Sequence, residues 1–476
     1  MVYNEVSIRR NFRMFTLKEL LTIEHIGVRN IEKATKLRVK GVAIDSRKIQ
    51  KGDVFIALRG EIFDGHDFVA SAFEKGAVCA IVDNKWKETN KSLPIIVVPD
   101  TTRALGELGK YHRRKFQIPV IAVTGSSGKT TTKEMISSVL GTTYNVLYTE
   151  GNLNNHIGVP LTLFRLKKNN QVAVIEMGMN HANEISYLCK IVEPTYGIIT
   201  NVGKAHLEFF KSVKSIAEAK GELFSWLGST KKNIGFVNMD DELVVSQAKK
   251  LRSKVTFSER SKHANVFGNL NQVDKKGCPQ FSISNSNWKK PIEVTLKSPG
   301  VHNILNALGA VAVGTTFGVT PADIKAGLEK FKSVKGRMEV VTSNGVTILN
   351  DTYNANPESM VSALKTVSSM ECKGKRIVVL GDMFELGKSA LSEHKKIGSI
   401  LRSFKCDVLV TVGNLAQNIH DKAKVKTKVH YAGREALTKY LKEIVQKGDL
   451  VLVKGSHGMK MNEIVQSLLQ GLEVKR

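Results

Sequence analysis

The chain has 476 residues, 42% hydrophobic and 24% charged, which is enough for about three ordinary domains with buried cores and too apolar for a disordered polymer. Lysine and arginine number 71 against 44 aspartates and glutamates, and the resulting formal charge of +27 invites an anionic partner. No stretch is long and apolar enough to span a bilayer, and Met1 to Arg13 lacks the apolar block of a signal peptide, so membrane insertion and export are not expected and the cytoplasm is.

Along the chain, residues 1–115 carry short strand-like runs, Val54 to Leu58, Ala80 to Val82 and Pro94 to Val98, and are expected to form a small mixed α/β domain. Its end holds the densest basic cluster, Lys110 to Lys115 with Arg113 and Arg114, a short patch that suits anionic substrates better than a sequence-reading groove. Residues 116–330 repeat an apolar run and a helix-length stretch, with runs at Val120 to Thr124, Val172 to Ile175, Gly197 to Thr200 and Ile234 to Val237. That order predicts a parallel sheet covered on both faces. Asn269 to Leu296 is polar and turn-rich and reads as a β-hairpin insert. Residues 331–476 hold three apolar runs ending in glycine, Arg376 to Gly381, Asp407 to Gly413 and Asp449 to Gly455, as in a Rossmann-like domain. The expected fold class is therefore α/β in three domains: a small mixed one, a central phosphate-loop domain with a β-rich insert, and a Rossmann-like one. Five cysteines, Cys79, Cys189, Cys278, Cys372 and Cys406, form no C-x-x-C pair and read as free thiols.

The chemistry begins where the run at Val120 stops at Gly125-Ser126-Ser127-Gly128-Lys129-Thr130-Thr131. Glycines let backbone N–H groups close on an anion, and a helix opening at Lys129 aims its positive end at the same point. Lys129 is placed to reach the β/γ-phosphates of a nucleotide and Thr130 a Mg²⁺. Glu176 follows a strand directly, at the end of a parallel sheet where ligands bind, and is the expected carboxylate partner of that metal. A glutamate that merely caps the next turn is the alternative.

Taken with Thr200-Asn-Val-Gly-Lys-Ala-His206 and Lys220, these runs resemble the Mur ligases, ATP-dependent amide-forming enzymes that build the peptide of the bacterial cell-wall precursor, over nearly the whole chain. The resemblance implies a metal role for His206 and a lysine, Lys220, that in the family is often carbamylated. It also implies nucleotide-base contacts in His302-Asn303-Ile-Leu-Asn306, an ATP-binding Arg337 supplied by the third domain, and an Asp351 that contacts ribose or phosphates. Helix capping is the lesser alternative for Asn303 and Asn306.

Further runs are similar to those of the family branch that adds D-alanyl-D-alanine to UDP-MurNAc-tripeptide. They are Glu150 to Leu163, with Asn152, Asn154 and Asn155; Asp351 to Met360, with Tyr353, Asn354 and Asn356; and Leu380 to Gly387. Asp45-Ser46-Arg47 and Asp64-Gly-His66 resemble the segments that hold the UDP end, although a surface turn also fits Asp64-Gly-His66. Lys454 and Ser456 are compatible with gripping a dipeptide carboxylate or with capping a helix, and His457 stands where many relatives have arginine. The implied partners are small molecules: ATP with Mg²⁺, UDP-MurNAc-tripeptide and D-alanyl-D-alanine, acting on a monomer with no specific nucleic acid. A related Mur-type or folylpolyglutamate-type ligase and a basic phosphate-loop ATPase that binds nucleic acid are the rivals.

Overall fold

The computed structural model describes residues 14–30, 38–87 and 92–474, so the expectation for Met1 to Arg13 lies outside it. The chain forms two compact units. One takes the chain up to Val120 with Thr149–Asn170 and Ser186–Glu193, and the other takes Ile121–Tyr148, Gln171–Ile185 and everything from Pro194 onward.

In the first unit a five-stranded sheet runs in the order Gly27–Arg29, Ile95–Val98, Cys79–Asp83, Asp53–Ile56, Gly41–Ala43, parallel except for the first strand. The strand Ile95–Val98 is β-branched throughout and buried throughout, the pattern of a strand covered on both faces. Asp100 caps the helix Thr101–Arg114, whose Leu105 and Leu108 enter the same core as Val54, Ile81 and Ile96. The basic cluster at its end is largely consumed by structure. Arg113 is buried and donates to the carbonyls of Val192, Phe116 and Ile118, Arg114 pairs with Glu193, and Lys115 pairs with Glu19 at 2.8 Å.

The second unit holds two sheets. The larger has nine strands in the order Ile292–Thr295, Pro279–Asn285, Val266–Val273, Lys254–Ser258, Ile234–Asn238, Tyr196–Ile199, Val120–Thr124, Val172–Glu176, Val146–Tyr148. Ile199 pairs with Thr124 on one side and with Val237 on the other, so the loops leaving these parallel strands emerge together. The segment expected as a hairpin insert is a three-stranded antiparallel meander that extends this sheet. Phe281, Ile283 and Val294 point into the main core, while the intervening polar residues face outward and mask the alternation. The helix Asn303–Thr316, apolar nearly all round, lies buried from Ile304 to Gly314 against that core.

The second sheet runs in the order Glu339–Ser343, Val346–Asp351, Leu450–Lys454, Arg376–Gly381, Val408–Val412, Thr427–Tyr431, parallel apart from its first hairpin. Asn344 and Gly345, with φ of 47° and 76°, make the turn of that hairpin. The α/β class is as expected. All five cysteines are free, and among the described residues no helix is long and apolar enough to cross a membrane.

Candidate active site at the glycine-rich loop

The loop between Thr124 and Lys129 can only be built with glycine at its two key positions. Gly125 has φ 149°, and a Cβ there would stand 1.9 Å from Thr200 Oγ1; Gly128 has φ 79°, and a Cβ there would stand 2.6 Å from Asn306 Oδ1. The loop is braced from the neighbouring strand end. Asn201 accepts from Ser127 N at 2.9 Å and donates to Ser127 O at 3.0 Å, Thr200 Oγ1 donates to the same carbonyl at 2.6 Å, and Asn201 O accepts from Ser126 N at 3.0 Å.

The amides of Ser126 and Ser127 are therefore committed to the brace. The donors left for an anion begin at Gly128: the first helical bond is Thr132 N to Gly128 O, so the N–H groups before Thr132 have no partner within the helix Lys129–Leu140. Thr131 stands in that first turn. Ser127 Oγ accepts from Asn356 Nδ2 at 3.0 Å, which ties the loop to the second sheet.

Charge gathers around the loop. Lys129 bends back to donate to Gly125 O at 2.8 Å; burial holds its ammonium below the usual lysine range, with the Glu176 carboxylate working against that shift and the Arg337 guanidinium adding to it. Lys220, 1% exposed at the end of the helix Val213–Lys220, is held far below that range by burial and by the charge of Lys129. Arg337 stacks on the Tyr353 ring, 3.8 Å from guanidinium carbon to ring centre, and its buried Nε has no hydrogen-bond partner among the described residues. Thr130 Oγ1 donates to Glu176 Oε2 at 2.8 Å. On the far side His206 Nδ1 lies 2.6 Å from Glu385 Oε2, at an angle short of a good hydrogen bond.

The Lys129 ammonium, the Arg337 guanidinium that acts on it and the first-turn helix amides thus lie close to the Thr130 hydroxyl and the Glu176 carboxylate. Such a site suits a polyanion.

Comparison with known proteins agrees with this geometry. Residues 38–113 match the Mur ligase family catalytic domain, 123–314 the Mur ligase middle domain, and 336–457 the Mur ligase glutamate ligase domain. The UDP-N-acetylmuramoyl-tripeptide–D-alanyl-D-alanine ligase of Bacillus subtilis strain 168 is 39% identical over 91% of this chain and 93% of its own. The chain belongs to the Mur ligase family. A crystal structure of MurF from Acinetobacter baumannii superposes with TM-score 0.86 at 33% identity, covering 96% of this chain and 99% of its own. MurF ligase from Thermotoga maritima, solved with ADP, gives 0.81 at 29% identity over 91% and 98%.

Other residues singled out in this Mur ligase sit as follows. Asn306 accepts from Thr132 Oγ1 at 3.1 Å and donates to Asn303 Oδ1, and Asn303 donates to Pro299 O, so both are buried braces between loop and helix and neither caps the helix through its side chain. Asp351 accepts from Met338 N and from Lys454 Nζ, and Lys454 also donates to Asn354 O. Asn356 caps the helix Pro357–Ser369, and Ser456 Oγ accepts from Phe384 N at 2.8 Å. His457 packs against Tyr353 with ring centres 5.3 Å apart.

Within the first unit, Asp64 caps a short turn and contacts both the backbone and the ring of His66, which is buried and accepts from Asp83 N at 3.0 Å. Ser46 is buried, and Arg47 is exposed on its own Asp45. Asn152, Asn154 and Asn155 belong to this same unit, where Asn155 Oδ1 accepts from Gly158 N. Sequence reasoning missed Asn201, Glu385 and Lys133, a fully buried lysine over the Tyr148 ring. Only Lys133 leaves a local trace, a cation one helical turn before the apolar positions Ile136 and Leu140 on the buried face of the helix Lys129–Leu140.

Proposed function

We infer that this chain joins D-alanyl-D-alanine to UDP-MurNAc-tripeptide at the expense of ATP, giving UDP-MurNAc-pentapeptide, ADP and phosphate for peptidoglycan synthesis. The observation that carries the reading is the glycine-rich loop itself, with Lys129 and the first helix amides beside the Thr130–Glu176 pair and Arg337 acting on the Lys129 ammonium, in a chain that matches ligases of that name over 91% of its length or more. Residues 1–115 bind the UDP-MurNAc part through Ser46, Arg47, Asp64 and His66, with Asn152, Asn154 and Asn155 added from the same compact unit. Residues 116–330 bind ATP, and residues 331–476 supply Arg337 and Asp351 to it and seat the dipeptide through Tyr353, Asn354, Asn356, Lys454 and Ser456. Both substrates are cytoplasmic small molecules met by a monomer.

In the first step the peptide carboxylate attacks the γ-phosphorus, forming an acyl phosphate and releasing ADP. Two anions must approach, so cations have to stand where charge accumulates, and Lys129 and Arg337 stand there. In the second step the dipeptide amine attacks the acyl carbon and phosphate leaves. An α-amino group titrates near about 7.7–8.0, so a useful fraction is free base at neutral pH without a dedicated base. The residues fit Mg²⁺: Thr130 and Glu176 offer hard oxygen donors, His206 a nitrogen, and phosphates the rest, while among the described residues no group of three or more His, Cys, Asp or Glu could hold a metal unaided. When bound, Mg²⁺ supplies further neutralisation of the phosphate oxygens.

The test is product mass. Tripeptides ending in diaminopimelate or lysine, ATP and a panel of amines including D-alanyl-D-alanine, L-amino acids and folate substrates are incubated with the protein. Phosphate release and a mass gain of one dipeptide less one water are expected with D-alanyl-D-alanine and with no other amine, and an equal response to another amine assigns a different ligase.

Lys220 gives a second expectation. Burial and the charge of Lys129 hold its amine well below the usual lysine range, which favours the free base, and a free amine adds CO₂ to give a carbamate and a proton, leaving an oxygen ligand for the metal. Carbon-13 bicarbonate should give a carbamate resonance that is absent in Lys220→Ala. It should fade as pH falls, because the amine then holds its proton. A wild-type spectrum without that resonance would leave Lys220 a buried, unmodified amine.

A further inference from the structure

The run Leu380 to Gly387 has no role in the reading above, yet it is a built loop. Asp382 Oδ1 accepts from Ala416 N at 2.7 Å, His394 Nε2 accepts from Met383 N at 2.9 Å, and Ser456 Oγ holds Phe384 N. These bonds carry the chain out of the strand Arg376–Gly381 and deliver Glu385 to the segment His206–Glu208. There Glu385 O accepts from Glu208 N at 3.1 Å, and Gly387, with φ 51°, packs so closely that a Cβ would stand 3.0 Å from Glu208 Cα.

Both members of the side-chain contact are strained. Glu385 has φ 61° and His206 φ 59°, a left-handed conformation that costs a non-glycine residue on the order of 1 kcal/mol or more and persists where its surroundings impose it. Contact with His206 keeps the Glu385 carboxyl below the usual carboxylate range, and the charge of Lys129 adds to this, which places Glu385 within the field of the phosphate site. Nearby, Lys204 Nζ meets Glu393 at 2.9 Å and Lys204 N meets Glu358 Oε1 at 3.1 Å, so the same segment is tied to the second sheet at several points.

An imidazole offers two nitrogens. With Nδ1 facing Glu385, Nε2 is the one left for a ligand. We propose that Glu385 is a positioning residue that couples the seating of the second sheet to the nucleotide site: it orients His206 so that Nε2 serves the divalent cation accompanying the triphosphate. The cation is then held tightly when the loop Leu380 to Gly387 sits on His206 to Glu208, and loosely when it does not. This rests on the nucleotide reading given under the proposed function.

The test uses Mn²⁺ as the probe, titrated into the full chain with ADP and followed by the electron paramagnetic resonance of the free ion, beside ADP binding in EDTA. Glu385→Ala and His206→Ala are each expected to weaken Mn²⁺ binding by about 10- to 100-fold and to leave metal-free ADP binding unchanged. The double variant should be no worse than the poorer single one, because both remove the same device. Glu385→Gln, which keeps an oxygen acceptor, should recover most of the affinity and carries the comparison if the alanine variant unfolds. Wild-type Mn²⁺ affinity in Glu385→Ala, or losses that simply add in the double variant, would overturn the positioning role while leaving the nucleotide site intact. A wild-type chain with no ADP-dependent Mn²⁺ binding would remove both.

Discussion

Lys129→Ala is expected to lower ADP formation by about 10²–10³-fold or more, the usual loss when one preorganised donor is removed from a site of developing charge. UDP-MurNAc-tripeptide binding should survive, because the residues assigned to it lie in the other compact unit. The size of the effect follows from what surrounds the ammonium. Lys129 is buried and feels the like charge of Arg337, both of which disfavour its ammonium, and an arriving anion offsets that penalty. Arginine should not rescue the loss, since a planar guanidinium cannot take the place of a point charge folded against Gly125 O. The measurement is ADP release with both substrates present, paired with calorimetric binding of the UDP precursor. A variant that forms ADP at the wild-type rate would detach Lys129 from the chemistry, and with it the phosphate-loop reading. A variant that also loses the precursor would show damage beyond the nucleotide site.

The part of this site legible in the sequence is the part made by neighbours in sequence. An apolar strand, two glycines, a lysine and a threonine lie within one strand-turn-helix, and the turn fixes their geometry. The place of Glu176 was legible for the same reason, since it ends the parallel strand Val172–Glu176, and its carboxylate accepts from Thr130 Oγ1. What stayed hidden depends on contacts between distant segments. Nothing in Asn201 announces that it will consume the amides of Ser126 and Ser127, and nothing in Glu385 announces His206. The protonation state of Lys220 is a property of its burial and so has no local signature. The hairpin at Asn344-Gly345 did have a strong one, overshadowed by the site motifs on either side. The meander after Val266 was blurred because its outward face is polar enough to resemble a loop. The basic cluster at Arg113 misled in the other direction, since formal charge counts a guanidinium that the fold spends on three carbonyls.

Lys454 is where stability and function are most tightly joined, and Lys454→Met is expected to cost about 3–5 kcal/mol, the penalty for leaving one member of a buried ion pair alone. Asp351 and Lys454 are register partners on adjacent parallel strands, their side chains 13% and 2% exposed and their charged atoms 2.6 Å apart. The pair does more than neutralise itself. Asp351 also accepts from Met338 N, and Lys454 also donates to Asn354 O, so one buried bond pins both the Gly336–Met338 junction and the Tyr353–Asn354 turn. Those two segments carry Arg337 and the ring it stacks on, and the network therefore sets where the guanidinium points. Urea unfolding should show the loss in Lys454→Met and a comparable one in Asp351→Ala. In the double variant Asp351→Leu with Lys454→Met, part of the stability should return, because no charge is left stranded. A lysine whose sole task is to grip the dipeptide carboxylate behaves otherwise: its loss raises the KM for D-alanyl-D-alanine, leaves the unfolding midpoint in place, and gives a double variant with no gain over the single ones.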